Sequence, residues 1–231
     1  MRRFYSNNIQ ENYIYLDLEE SRHIAKVLRL KTGDKVEVIN GSGLCYIAEL
    51  TTVDPRACVL VIKDTIKSSG NEYGIHLAVA PTKNINRWEW FIEKATEIGV
   101  DQITPMLCTH SERKALKLER QERIVIAAAK QSHKTKFPQI SSPTTFAEIV
   151  SNTQAEEKFI AHCYEEIPRQ SLIKLHQSSK KVLILIGPEG DFSKEELDMA
   201  LKNGFQSVEL SKSRLRTETA AIVACNTLQN V

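Results

Sequence analysis

The segment Arg214-Leu215-Arg216-Thr217-Glu218-Thr219-Ala220 puts guanidinium, carboxylate and hydroxyl groups directly ahead of an apolar stretch. Arg216 precedes the last predicted helix, and Thr217, Glu218 and Thr219 occupy its start. Threonines at a helix start can be plain caps. The same helix start can also receive an anion, a carboxylate or a phosphate. Arg216 is permanently charged and forks onto paired oxygens. A second special stretch, Ile186-Gly187-Pro188-Glu189-Gly190, is a sharp turn whose glycines allow close backbone approach. A plain turn would explain it. Alternatively, an adenosine ligand could lie against such backbone and bond to its N–H and C=O groups. No Gly-Lys-Ser/Thr follows and there is no G-x-G-x-x-G, so phosphate-loop, nicotinamide and flavin chemistry are set aside.

Each of these stretches needs a strand to deliver it and a helix to receive it. The apolar run Val182–Ile186 reads as a buried strand that ends in the Gly-Pro-Glu-Gly turn. Ser193-Lys194-Glu195-Glu196 is a capping-box pattern and starts a helix that stops near Gly204. Phe205–Leu210 reads as a short strand, and Ser211 opens the loop to the last helix. Lys158–His162 reads as a further strand, with Tyr164 just beyond its end. In open parallel sheets, ligands bind outside the carboxyl ends of the strands, so the three loops are expected to converge there.

Upstream, strand and helix alternate. Ile75–Ala80 and Gln102–Leu107 are predicted strands. Helices are predicted over Asn86–Ile98, closed by Gly99, over Glu119–Ser132 with Ile124, Ala127, Ala128 and Gln131 on one side, and over Gln170–Gln177. The alternation predicts an α/β fold, a parallel sheet covered by helices. The polar, aperiodic stretch Thr65–Gly74 reads as a linker between a domain at 1–70 and one at 71–231. Within 1–70, Lys35–Asn40, Leu44–Thr51 and Ala57–Lys63 alternate at period two, with Asn40-Gly41-Ser42-Gly43 as a hairpin turn. Such short strands suggest a small barrel. A predicted helix over Glu19–Leu30 carries Arg22, Lys26 and Arg29 on one face. A solvated helix face would account for them; a ridge for phosphates, helped by Arg2, Arg3 and Lys31, is the functional alternative. A second basic zone runs from Arg113 through Lys134 to Lys136, with glutamates interspersed, and allows the same two readings.

The chain has 231 residues and a formal net charge of +2, so any nucleic-acid surface must be local. No apolar run approaches membrane-span length, and the start lacks the apolar core of a secretion signal. Cys45, Cys58, Cys108, Cys163 and Cys225 are scattered and form no C-x-x-C, which fits reduced thiols in a cytoplasmic protein. The histidines show no metal-ligand spacing.

The joint order of these motifs resembles the bacterial family that methylates N3 of a uridine in 16S ribosomal RNA, within the SPOUT superfamily. The resemblance rests on His23-x-x-x-Val27-Leu28-Arg29 with Gly33, on Lys83, on Trp90 through Lys94-Ala95-Thr96-Glu97-Ile98-Gly99-Val100, and on Gln131-Ser132 with Pro138. Ile186–Gly190 and Leu210–Ala220 complete it. The family often has glycine where Asp191 and Ser211 stand, and usually arginine where Lys134 stands. The resemblance implies an N-terminal PUA-like RNA-binding barrel, a C-terminal domain with a trefoil knot, S-adenosylmethionine as methyl donor and a homodimer acting on the small ribosomal subunit. With a sulfonium donor no metal is needed, and neither a metal nor a membrane partner is expected. Cofactor contacts are then expected from Tyr164, Ile186, Gly187, Pro188, Glu189, Gly190, Leu210, Ser211, Leu215, Arg216, Thr217, Thr219 and Ala220. Arg216, Glu218 and Glu189 are the candidates for catalysis. RNA contacts are expected from Arg2, Arg3, Arg22, Lys26, Arg29, Lys83, Arg113 and Lys134. The rival readings are a methyltransferase acting on ribose 2′-OH or transfer RNA, and a non-catalytic RNA-binding assembly factor.

Overall fold

The structure, a computed structural model, describes residues 1–67, 74–177 and 180–230. It forms two compact units, one from residues 1–70 with 126–137, the other from 71–125 with 138–231.

The first unit is a six-stranded sheet with β1 (Arg3–Tyr5), β2 (Ile9–Gln10), β3 (Tyr13–Tyr15), β4 (Lys35–Ile39), β5 (Leu44–Thr52) and β6 (Val59–Lys67). Its order is β1-β4-β5-β6-β3-β2, antiparallel except for β1 beside β4. Register shifts between Ile47 and Ala48 and between Leu50 and Thr52 bend β5 against β6, as bulges do. The period-two pattern sends Val36, Val38, Ala48, Leu50 and Leu60 inward onto Phe4, Ile14 and Ile24. Each such large side chain contributes roughly 1.5–3 kcal/mol by leaving water.

Two expectations for this unit are corrected. The helix predicted over Glu19–Leu30 is α1 (Leu18–Arg22), continued by a π-helical turn over His23–Leu28. Arg29 closes it in a left-handed conformation at φ 53°. The 3.6-residue register that would align Arg22, Lys26 and Arg29 therefore does not run through all three, although each is exposed. The predicted linker Thr65–Gly74 is strand up to Lys67, because β6 keeps pairing with β5 out to Leu44. Residues 68–73 of it lie outside the described residues.

The second unit is one eight-stranded parallel sheet. In chain order it holds β7 (Ile75–Val79), α2 (Ile85–Ile98), β8 (Gln102–Leu107), the part of α3 (Leu118–Gln131) up to Val125, β9 (Gln139–Ile140), β10 (Thr144–Thr145) and α4 (Phe146–Asn152). There follow β11 (Glu157–Ala161), β12 (Gln170–Ser171), α5 (Leu172–Leu175), β13 (Val182–Ile186), α6 (Lys194–Lys202), β14 (Gln206–Glu209) and α7 (Thr217–Asn230). The sheet order is β10-β8-β7-β13-β11-β14-β12, with β9 also on β8. Central β13 is buried along its whole length, as a strand covered on both faces must be. Helix α2 packs against α7, and Trp88, Phe91, Ala221, Ala224 and Leu228 are buried there. Phe146, Leu183, Leu185, Phe192 and Leu197 form a further core cluster.

The capping box at Ser193 forms as the sequence predicts, with Glu196 reaching back to the Ser193 N–H at 2.8 Å. Helix α3 presents a different stripe from the predicted one. Gln121, Val125, Ala128 and Ala129 are buried while Ala127 and Gln131 are exposed. Buried Gln121 is polar and escapes a hydrophobicity count; it accepts the Trp88 indole N–H at 3.0 Å. Helix α5 keeps only Leu172–Leu175 of the predicted Gln170–Gln177, because Gln170 and Ser171 pair with β14 instead.

Candidate active site

The sheet order explains why three loops meet. Strand β11 lies between β13 and β14, all parallel, so their carboxyl ends emerge side by side. Their exits enclose two adjoining clefts. The larger, about 480 Å³, is lined by Arg87, Ala161, Cys163, Ile186, Gly187, Pro188, Glu189, Asp191, Arg214, Leu215, Arg216, Thr217, Glu218 and Ala220. The smaller, about 280 Å³, is lined by residues that include His162, Glu165, Arg169, Val208, Leu210, Ser211, Lys212 and Ser213. Both clefts share Ala161, Cys163, Arg214, Leu215 and Ala220.

The turn after β13 is held in place from several sides. Thr217 is buried, and its hydroxyl donates to the Gly187 carbonyl at 3.0 Å. The Asp191 N–H donates to the Pro188 carbonyl at 3.0 Å. Glu189 Oε1 accepts the Lys83 N–H at 3.0 Å. Asp191 sits at φ 62°, a left-handed conformation that glycine adopts without cost and aspartate tolerates. Its carboxylate accepts the Cys163 N–H and the Phe192 N–H, both at 2.8 Å. His110 Nδ1 lies 3.0 Å from the Asp191 carbonyl. The Asp191 side chain thus joins the exit of β13 to that of β11, a link a glycine there would lack.

Several predicted site residues stand apart from the lining. Tyr164 donates its hydroxyl to the Phe192 carbonyl at 2.7 Å and packs on the core. A β-carbon on Gly190 would meet His110 Cβ at 3.2 Å, so this glycine faces a loop rather than the cleft. Thr219 lies among neither set of lining residues.

Of the catalytic candidates, Arg216 is exposed, Glu189 is exposed and bonded to the Lys83 backbone, and Glu218 is buried. Arg87, which the sequence did not single out, places Nε 3.6 Å from Glu218 Oε1. Only an i, i+3 relation to Asn84, the cap of α2, marks it in sequence. Cys163 is exposed as a residue, but its thiol sits against Asp191. Desolvation and then the Asp191 carboxylate push that thiol above its usual range, which disfavours a thiolate nucleophile. Burial lowers His162, whose Nε2 lies 3.0 Å from the Ser207 hydroxyl. No group of three or more His, Cys, Asp or Glu that could hold a metal occurs among the described residues. No described helix is long and apolar enough to cross a membrane.

The predicted RNA-contact residues divide by their partners. Arg3 turns inward and pairs with Glu37 at 2.7 Å, its side chain 10% exposed, so it holds β1 to β4 rather than reaching for a phosphate. Arg113 donates to the Thr82 and Lys83 carbonyls at 3.1 and 2.7 Å and braces that loop. Lys83 Nζ pairs with Glu112 at 2.8 Å, and this partner raises the ammonium above its ordinary range. Arg2, Arg22, Lys26 and Arg29 are exposed; Lys134 is half-buried. In the second basic zone, Arg120 pairs with Glu89 and Lys130 with Glu20, while Lys114, Lys117 and Arg123 are exposed.

A helix-covered parallel sheet, with clefts at its strand ends walled by backbone, arginines and carboxylates, defines an open α/β protein with its candidate ligand site at the carboxyl edge of the sheet. The chain belongs to the RNA methyltransferase family: residues 69–229 match its RNA methyltransferase domain and residues 16–63 its RNA methyltransferase PUA domain. Among curated proteins it is 31% identical to the ribosomal RNA small subunit methyltransferase E of Mesomycoplasma hyopneumoniae, over 96% of each chain. It is 30% identical to the enzyme of that name from Buchnera aphidicola, over 100% of this chain and 93% of the relative. Among solved structures, a "probable rRNA-methyltransferase" from Porphyromonas gingivalis superposes with a TM-score of 0.93 at 39% identity, covering 99% and 98% of the two chains. The ribosomal RNA small subunit methyltransferase E of Neisseria gonorrhoeae, solved bound to S-adenosyl methionine, superposes with a TM-score of 0.88 at 26% identity, covering 99% and 97%.

Proposed function

We propose that the protein transfers the methyl group of S-adenosylmethionine to N3 of a specific uridine in 16S ribosomal RNA, in the cytoplasm and as a homodimer. The observation that carries this reading is the convergence of the β11, β13 and β14 exits on adjoining clefts whose lining suits a charged nucleoside. The residues fit such a donor. Ile186, Leu210, Leu215 and Ala220 offer apolar walls, and Arg214 and Arg216 suit its carboxylate. Asp191 and Glu189 supply negative charge for its cationic parts.

When bound, the donor supplies an electrophilic methyl on a sulfonium, so the chemistry needs no metal. The residues of this chain hold the base in line with that methyl and stabilise the uracil as it becomes anionic. Arg216 is placed to meet a carboxylate, a substrate phosphate or developing charge on the base. A trefoil knot in the second unit is part of this reading. The first unit is read as the RNA-binding part, with Arg2, Arg22, Lys26 and Arg29 as exposed cations for phosphates.

The test is calorimetric titration of S-adenosylmethionine into the full chain, with nucleoside mass spectrometry of small subunits from a strain lacking the gene before and after incubation with protein. Donor binding and a new N3-methyluridine are expected. A 2′-O-methyl product, or no donor binding, would replace the reading with one of its rivals.

A further inference from the structure

The Arg87–Glu218 pair assigns the two halves of the uracil chemistry. We propose that Arg87 is a catalytic residue that stabilises the anionic uracil, and that Glu218 is the positioning residue that holds it, not the base that takes the N3 proton. The inference rests on the methyl-transfer reading above and deepens it.

Glu218 lies in the first turn of α7 with its side chain 10% exposed, and Arg87 lies in the first turn of α2 at 41%. Both line the larger cleft. Their ion pair engages Arg87 Nε at 3.6 Å. Among the described residues no protein acceptor is found for the terminal amino groups of Arg87. A guanidinium drawn toward a buried carboxylate at ion-pair distance, longer than a hydrogen bond, with its outer donors unused, can receive an anion in the cleft. Arg216 lines the same cleft but has no carboxylate partner among the described residues.

The N3–H proton leaves to solvent, and the negative charge spreads over N3 and its flanking carbonyl oxygens. The N3 lone pair forms the new N–C bond while the C–S bond breaks and its electron pair stays on sulfur. The products are a neutral thioether, a neutral methylated base and one released proton. Arg87 meets a flanking oxygen, lowers the cost of losing the proton and leaves the line of attack at N3 open. Glu218 stays beside Arg87 throughout and takes no part in the proton transfer.

The experiment compares Arg87→Ala, Arg87→Lys, Glu218→Gln and Glu218→Ala with wild type, using single-turnover methylation of small subunits from pH 6 to 10 and donor affinity by calorimetry. A third readout needs no turnover: ultraviolet titration of the N3 proton in a one-uridine RNA bound with S-adenosylhomocysteine. Arg87→Ala is expected to lose about 100-fold in rate at pH 7 with donor affinity retained, and to regain much of it at high pH. Its bound uridine should titrate about one pH unit or more higher than in wild type. Arg87→Lys should fall between. Glu218→Gln keeps an acceptor for Arg87 and should stay within about fivefold of wild type, whereas Glu218→Ala should approach Arg87→Ala. Glu218→Gln as inactive as Glu218→Ala, beside a nearly normal Arg87→Ala, would make Glu218 the base and overturn the proposal. Wild type that binds donor but shows no lowered uridine titration would overturn it as well. Wild type that neither binds donor nor methylates would instead remove the underlying functional reading.

Discussion

The two walls of the cleft are built differently. The turn after β13, residues 187–191, is bonded to the start of α7 through Thr217, to the Lys83 backbone, to the exit of β11 through Asp191, and to His110. The loop after β14, residues 210–216, has a short Ser213 N–H to Ser211 hydroxyl bond at 3.1 Å, and Ser211, Lys212, Ser213, Arg214 and Arg216 are exposed. One wall is preorganised by buried and cross-strand hydrogen bonds. The other presents charged and small polar side chains to the ligand. The difference teaches a division of labour: substitutions in the first wall should register in stability, and those in the second in activity.

The largest expected effect lies in the open wall. Arg216→Ala should lower methyl transfer by about 100-fold while leaving stability within about 0.5 kcal/mol, because an exposed arginine contributes little to a core. Single-turnover rates and thermal melts on the same preparation check this, and a large fall in melting temperature would break the division. In the bonded wall the order reverses. Thr217→Val removes the hydroxyl that satisfies the buried Gly187 carbonyl, and should cost about 1–3 kcal/mol in denaturant unfolding. An unchanged unfolding midpoint would mean that this hydrogen bond does not hold the wall.

The sheet beneath both walls provides a control. His76 in β7 is half-buried, with Nε2 2.8 Å from the Thr104 hydroxyl, and desolvation lowers its pKa to about 4. Because the folded value lies below the unfolded one, the unfolded chain takes up the proton first. The contribution is therefore complete above about pH 6.5 and is lost as pH falls towards 4. At pH 5.5 the loss should be about 1 kcal/mol relative to pH 7.5, and His76→Gln should remove that part of the slope. Urea unfolding across this range measures it, and equal slopes in both proteins would count against desolvation of this imidazole in the fold. The smallest effect is expected for Ser211→Gly, which restores the residue common in the family. It should shift stability by a few tenths of a kcal/mol and donor affinity by less than about threefold. A larger stability loss would show that the Ser211–Ser213 turn stiffens the open wall.

Much of the second unit is legible in sequence because its elements carry strong local signals. Val182–Ile186 is an unbroken apolar run, as a strand covered on both faces must be, and Ser193 to Glu196 forms its predicted capping box. The order of motifs around Gly187-Pro188-Glu189-Gly190 and Arg214–Ala220 identifies the family, because those stretches are short and chemically constrained. The first unit is less legible. Strands β1, β2 and β3 are only two or three residues long; β1 and β3 gain their ladders from β4 and β6, which lie far along the chain, and β2 is added through β3. The π-helical turn at His23–Leu28 has no periodic signature of its own, so the alignment of Arg22, Lys26 and Arg29 could not be read correctly.

The sequence by itself determined which segments could be strand, helix or turn, and which loops carried arginine, carboxylate and glycine. Those are local properties of side-chain period, capping and backbone freedom. Only the tertiary structure decided partners. It placed β11 between β13 and β14, so that three loops distant in sequence share one opening. It turned Arg3 onto Glu37 and Arg113 onto backbone carbonyls, and it brought Arg87 from α2 against Glu218 of α7. A charged side chain serves a ligand or the fold according to which buried acceptor lies within reach. That distance is fixed by packing between residues far apart in the chain, and no local pattern encodes it.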